Sequence, residues 1–501
     1  MSDSTSQLSI QTKTTPGSAP NGQGRGLFAS SHFRPGDDVL HIQSPFVAVL
    51  DTQRLADTCS GCFGKRQLEA NPDNKIVLKA CAGCQVVKYC DTTCQAKDWK
   101  LAHSRECPIY KDLHPKILPI NARAIMRMVL RLGAKKNAYT QEELDLFQTL
   151  ETHIRDIREG NSEQWERISL TSKAVKQYSQ TGIEEELLSA FGAKFDLNSF
   201  NLTNAFYDRV GLYIHPYAAL INHSCEYNAV MGFDGPELYI KAVRPIAKDE
   251  QIFISYVDTT YPKRIRQKEL GGRYFFACQC KKCSGDEPPE PTGDAGVVCE
   301  RAFALLQSGK AGDDKHRLSV TLQALITCEL PKTKQPFVSI FDEIIVSDIS
   351  DGALTHAFLN CALRFSRIDP VAYPYEGHPI RAVHAWTLAK VTLQISQESP
   401  ELTMPEFVKG GWEDFLGTGE VSLDYGLLTW TLLAELVSKE AEYCTVPGFR
   451  TIVKKTFANV HEEFMRHGLD PRNMRDEIRA QWSKLGKLIS GYFQCVLRDN
   501  S

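Results

Sequence analysis

Four ligand pairs crowd one stretch of this chain: Cys59-x2-Cys62, Cys81-x2-Cys84, Cys90-x3-Cys94 and His103-x3-Cys107. Thiolate sulfur and imidazole nitrogen are the ligands that zinc takes in tetrahedral sets of four, and residues this close can grip one ion from a tight turn or a turn of helix. Eight such ligands make two closed sites. Closed sites are structural, because a catalytic zinc keeps one position open. A run this short has too little core to fold alone, so metal must supply much of its folding free energy. Spacing leaves open which pairs share an ion.

A second constellation is scattered. Cys278-x-Cys280-x2-Cys283 offers three ligands and needs a fourth. The natural candidate is Cys225, at the end of Asn222-His223-Ser224-Cys225 and ahead of Asn228. A shared ion would tie that tetrapeptide to the strand-like run ending Ile254-Ser255-Tyr256. Gly24-Arg25-Gly26 stands just before the first strand-like residues. By itself a Gly-x-Gly is usually a turn, and the tetrapeptide could be a capped turn with a buried histidine. Their linkage through Cys225 is what raises them above that.

The cysteine-dense segment, with Gln95, Asp98 and Trp99 between its last two pairs, resembles a MYND zinc finger. The resemblance implies interleaved ligands: Cys59, Cys62, Cys90 and Cys94 on one zinc, Cys81, Cys84, His103 and Cys107 on the other. It also implies a protein-interaction surface, often for proline-rich peptides. The scattered motifs resemble the SET methyltransferase family, and with the finger inserted the similarity is to its SET- and MYND-domain (SMYD) branch. It covers about residues 23–283 and extends loosely to Gly377-His378-Pro379-Ile380-Arg381. Two positions depart from the family pattern: Glu226-Tyr227 stand where Asp-Pro is common, and Asp249-Glu250 where Gly-Glu is usual.

The resemblance implies protein-lysine methylation by S-adenosylmethionine, with three zinc ions in all. The rival reading is a catalytically silent scaffold that recruits partners. Gly24, Arg25 and Gly26 are expected at the methionine end of the cofactor, glycine allowing close backbone approach and Arg25 meeting the carboxylate. Asn198, Asn222 and His223 are expected to hold it, Phe276 to stack on the adenine, and His153 to reach it. Tyr256 matches the catalytic tyrosine, with Tyr213 and Tyr274 lining the lysine channel. A lysine amine must be neutral to attack, against an ordinary pKa of about 10.4, and a narrow apolar channel favours that form.

These residues need a scaffold. The pattern predicts strands over 27–50, broken by a turn at Arg34-Pro35-Gly36-Asp37, and again over 206–257; helices are expected between them. The resemblance implies an α+β fold class: a β-rich SET fold with a pseudoknot, split by the finger and a helical insert, followed by an all-α, tetratricopeptide-like C-terminal domain. The divisions are a disordered tail at 1–22, SET parts at 23–58 and 197–258, the finger at 59–107 and the insert at 108–196. A post-SET zinc segment follows at 259–284, a linker at 285–296 and the helical domain at 297–501. A net charge of −3 gives little support for nucleic acid as the main partner. The basic run Lys263, Arg264, Arg266, Lys268 reads as a solvated helix face. With no secretory signal or apolar span, the expectation is a monomer of nucleus and cytoplasm acting on proteins with accessible lysines.

Overall fold

Strand-forming residues begin earlier than composition suggests. The computed structural model describes residues 10–20, 22–70, 75–134, 139–285, 290–308, 314–398 and 423–498. Within the stretch expected to be a disordered tail, Ile10–Thr12 (β1) and Thr14–Ser18 (β2) are strands. β1 pairs antiparallel with Asp38–Ile42 (β4), and β2 with Arg25–Ala29 (β3). The correction has a local cause. Ile10, Thr12, Thr14 and Thr15 are β-branched and suit a pleated surface. Thr14 is buried, with its Oγ1 3.2 Å from the Tyr217 hydroxyl. Residues 1–9 and 21 lie outside the described residues.

The chain divides into two units. The first holds residues up to Tyr256, Glu269–Cys280 and Val446–Phe449. Its sheets are small. One orders β1, β4, Glu237–Ala242 (β12) and Ala229–Asp234 (β11); another orders Val47–Leu50 (β5), Arg209–Ile214 (β9) and Phe200–Thr203 (β8). Lys79–Ala80 (β6) and Lys88–Tyr89 (β7) form a short pair inside the cysteine-dense segment. Asn222–His223 (β10) pairs in parallel with Phe253–Ile254 (β13), which seats the tetrapeptide beside the run that ends at Tyr256.

One edge of β5 is paired with β9 and the other would be open. The helix Ile120–Leu132 closes it with arginines. Arg123, Arg127 and Arg131 are four residues apart, about 6 Å along a helix. Alternate strand carbonyls are about 6.7 Å apart. The periods match, so three buried guanidinium groups donate in turn to the carbonyls of Leu50 (2.8 Å), Ala48 (3.1 Å) and Phe46. This removes the unpaired edge without another strand. Arg127 also donates to both oxygens of Glu106, at 2.6 and 2.8 Å, and lies 3.2 Å from Asp98. Glu106 and Asp98 belong to the cysteine-dense segment, so one side chain joins that segment, the insert and the sheet. Burial would push the Glu106 carboxyl up, but the Arg127 charge prevails and holds it at about 2.

The second unit is helical through most of its length, from Gly293–Gln307 to Arg475–Arg498. The expected stripes face inward: Leu354, Phe358 and Cys361, then Leu428, Leu432 and Leu436, are all buried. Phe365 is only half-buried. The linker expected at 285–296 is shorter at its end, because the first of these helices starts at Gly293. The basic run needs a correction too. Arg266 is buried, not solvated, and donates to the Tyr261 carbonyl (2.5 Å) and toward Cys283 Sγ (3.5 Å). No helix among the described residues is long and apolar enough to cross a membrane.

Candidate active site and its zinc clusters

The finger ligands interleave as the resemblance implies. Cys59, Cys62, Cys90 and Cys94 form one group, and Cys81, Cys84, His103 and Cys107 the other, with ligand atoms in each within 4.8 Å of one another. Zinc–sulfur bonds of about 2.3 Å at tetrahedral angles place two sulfurs about 3.8 Å apart, and a sulfur and a ligating nitrogen about 3.6 Å apart. Cys62 to Cys90 and Cys81 to Cys107 are each 3.8 Å. His103 Nε2 is 3.4 Å from Cys81 Sγ and 3.6 Å from Cys84 Sγ. The donor sets therefore fit zinc. His103 turns its other ring nitrogen to Glu106, 3.6 Å away, the kind of outer partner that fixes a ligating imidazole.

Both knuckles carry glycine before the second cysteine, for a steric reason. A Cβ on Gly61 would meet the Cys94 carbonyl oxygen at 2.5 Å, and one on Gly83 would meet Cys107 Sγ at 2.7 Å. Removing zinc with a strong chelator should lower the melting temperature sharply, and adding zinc back should restore it. An unchanged melting curve after metal analysis shows the protein zinc-free would contradict this.

In the third group, Cys225, Cys278 and Cys280 bring their sulfurs within 4.8 Å of one another, as the linkage required. Cys283 lies three residues beyond Cys280 on the short helix Lys281–Ser284, which belongs to the second unit. His223 connects the cysteines to Tyr256. Its Nδ1 accepts the Tyr256 backbone N–H at 3.0 Å, so the ring proton sits on Nε2, 3.3 Å from Cys225 Sγ. Asn228, fully buried, secures the same crossing. Its side-chain amide donates to the Gln251 carbonyl at 2.8 Å, and its oxygen accepts the Phe253 N–H at 2.8 Å. Sequence reasoning named Asn228 beside the tetrapeptide but gave it no role; an asparagine three residues after Cys225, in a segment that must be held against a strand, was the available signal.

Tyr256 borders a cavity of about 150 Å³, together with Tyr274, Asn198, Phe200, Ile254 and Arg273 among others. The rings of Tyr256 and Tyr274 are 4.8 Å apart. The Tyr256 hydroxyl donates to the Ile221 carbonyl at 2.5 Å. Burial, then the neighbouring Tyr274, push its pKa above the ordinary tyrosine value, so the phenol stays protonated at neutral pH. Tyr213 is elsewhere. It is fully buried, packs on Phe233 at 4.9 Å, and does not line this cavity. β9 is the middle strand of its sheet and is covered on both faces, so an aromatic at that position becomes core.

A cradle lies around the remaining predicted residues. Gly24 has φ +72°, a left-handed conformation that glycine adopts freely. Gly26 is fixed by contact, because a Cβ there would stand 2.5 Å from Gln251 Nε2. Asn222 donates to the Arg25 carbonyl (3.0 Å), and the exposed Arg25 side chain reaches Thr149 Oγ1 (3.2 Å). Asn198 donates to the carbonyls of Glu151 (3.0 Å) and Lys194 (2.9 Å). One turn earlier, Lys194 grips the Phe147 and Gln148 carbonyls at 2.8 and 2.5 Å. Sequence reasoning missed this lysine, which no local motif marks. His153, at φ +47°, lies flat against Phe275 at 4.8 Å and pairs with Asp156 at 2.9 Å. Phe276 is 36% exposed and 5.9 Å from the His223 ring, leaving a face open for stacking. Positive φ, an exposed guanidinium, side-chain amides and an open aromatic face form a donor set that fits an amino-acid-bearing nucleoside.

Residues 24–257 match the SET-domain family. A "SET domain and MYND-type zinc finger protein 6" of Schizosaccharomyces pombe is 30% identical over 270 residues, covering 54% of this chain and 52% of the relative. Over these residues the chain is similar to SET- and MYND-domain proteins. A longer alignment is to the mouse "Histone-lysine N-methyltransferase SMYD3", 28% identical over 384 residues, 74% of this chain and 86% of the relative. An Arabidopsis thaliana "Histone-lysine N-methyltransferase ASHR1" is 29% identical over 284 residues, 55% of this chain and 56% of the relative.

Proposed function

We propose that this protein transfers methyl groups from S-adenosylmethionine to lysine side chains of proteins. The observation that carries the reading is the protonated Tyr256 hydroxyl at a small cavity, in a residue whose backbone N–H is held by His223 beside Cys225. Similar proteins are named as lysine methyltransferases.

The cofactor, when bound, supplies an electrophilic methyl group on a sulfonium. Arg25 would meet its carboxylate, Asn198 and Asn222 its amino-acid part, and Phe276 its adenine. Tyr256 orients rather than deprotonates: a neutral phenol is no base, and its proton is engaged by Ile221. Its oxygen keeps lone pairs to accept an amine N–H, which aims the nitrogen. The lysine must lose its proton to water before it settles, and Tyr256, Tyr274, Phe200 and Ile254 give the neutral form a favourable wall. Alignment then lowers the entropic barrier.

Cys225, Cys278 and Cys280 would supply thiolates to a third structural zinc. The finger surface, where Trp99 and Leu101 are exposed, serves as a docking face for proline-rich peptides.

The test uses the full chain with all its zinc. Saturating S-adenosylmethionine is expected to raise the melting temperature, since only the native state binds it. Labelled cofactor is expected to mark protein lysines in a cell extract. No thermal shift and no labelled lysine would sink the proposal.

A further inference from the structure

Among the described residues, Arg273 is the only charged one lining the cavity beside Tyr256, and no carboxylate lines it. A wall meant to attract a lysine by its charge would carry acids. This one has hydroxyls, amides, apolar groups and a guanidinium. The cavity therefore does not draw in the ammonium group, and recruitment must come from something next to the lysine.

The placement of Arg273 suits that role. It stands in the last turn of the helix Lys263–Tyr274, where the helix end favours a cation. Its guanidinium lies over the Tyr274 ring, 5.1 Å from the centroid, and that ring is 4.8 Å from Tyr256. Packing on the ring limits the rotamers of a long side chain while leaving N–H donors outward. Arg273 is exposed and makes no ion pair with a carboxylate among the described residues. Buried arginines of the same unit behave otherwise: Arg127 is bound to two acids and a carbonyl.

We propose that Arg273 selects substrates carrying an aspartate or glutamate within one or two residues of the target lysine. This rests on the methyltransferase reading above. With the lysine extended toward Tyr256, its backbone stands at the cavity mouth and the neighbouring residue is about 3.8 Å further along, Cα to Cα. A planar guanidinium takes a carboxylate there in a two-point hydrogen bond.

The test compares peptide pairs that differ only in Glu or Gln beside one lysine, using the full-length protein, and reads kcat/KM for methyl transfer. Wild type is expected to favour the Glu peptide by about three- to five-fold, the size of an exposed ion pair. High salt should shrink the preference. Arg273→Gln should flatten it, and Arg273→Glu should reverse it toward peptides with lysine or arginine beside the target. Both variants should keep the wild-type melting temperature. Equal rates on both peptides with wild type, or an unchanged Glu preference in Arg273→Glu, would overturn the proposal. Failure of wild type to methylate any peptide or extract protein would remove both readings together.

Discussion

Tyr256→Phe is expected to lower the rate of methyl transfer by about a hundred-fold or more, while cofactor affinity should stay within about two-fold. The substitution deletes one oxygen and keeps the ring, so the contacts with Tyr274 (4.8 Å), His223 (5.3 Å) and Phe276 (6.5 Å) survive. The Tyr256 backbone N–H still donates to His223, and the crossing of β10 and β13 is untouched. What disappears is the group that aims the amine, and loss of one positioned polar group at a reacting centre typically costs a factor of about 10²–10³. The Ile221 carbonyl also loses its donor, at a stability cost of about 1 kcal/mol. Single-turnover rates measure the first effect, and calorimetric titration with the cofactor checks the second half of the expectation. A rate within a factor of three of wild type would take Tyr256 out of the chemistry. A large loss of cofactor affinity would show that the hydroxyl acts on the fold of the cradle instead.

The second large effect is on stability. Arg127→Met keeps the volume and the helix propensity but removes the cation between Glu106 and Asp98. Both acids are nearly inaccessible to water, at 0% and 4% exposure. Breaking a buried ion pair by deleting one partner costs about 3–5 kcal/mol, because the other charge stays buried without compensation. The Ala48 carbonyl loses its donor as well. Denaturation with zinc held in excess should show a midpoint much lower than wild type. Replacing Arg127, Glu106 and Asp98 together with apolar residues of similar size should recover much of the loss, since no charge is then stranded. A single Arg127→Met variant as stable as wild type would mean that the acids are neutralised some other way.

Arg127 illustrates why part of this protein could not be read ahead of the coordinates. Its helix reads as an apolar stripe with arginines scattered between, and the usual inference is a solvated face. Only the strand beside it, whose alternate carbonyls fall at the spacing of a helical turn, makes Arg123, Arg127 and Arg131 interior residues. Arg266 was misread on the same ground, since a run of basic residues says nothing of an acceptor waiting inside. Tyr213 went the other way: an aromatic beside a motif suggested the channel, and its strand, covered on both faces, put it in the core. The early strands failed as expectations because a few β-branched residues among polar ones suffice when a partner edge is already present.

The clustered cysteines and His103 were legible for the opposite reason. Metal coordination admits few residue types and demands close pairs, so chemistry is written into local spacing, and the eight residues that gather in two groups fit for zinc could be named from sequence alone. The helical stripes of the second unit were legible because a helix repeats its face every three to four residues. Pairing between sites separated along the chain, the bridge by which His223 joins Cys225 to Tyr256, and the charge of the cavity wall are decided only when distant segments meet. A sequence fixes what each residue can bond to; which partner arrives is a property of the tertiary fold, because burial and distance determine what each bond is worth.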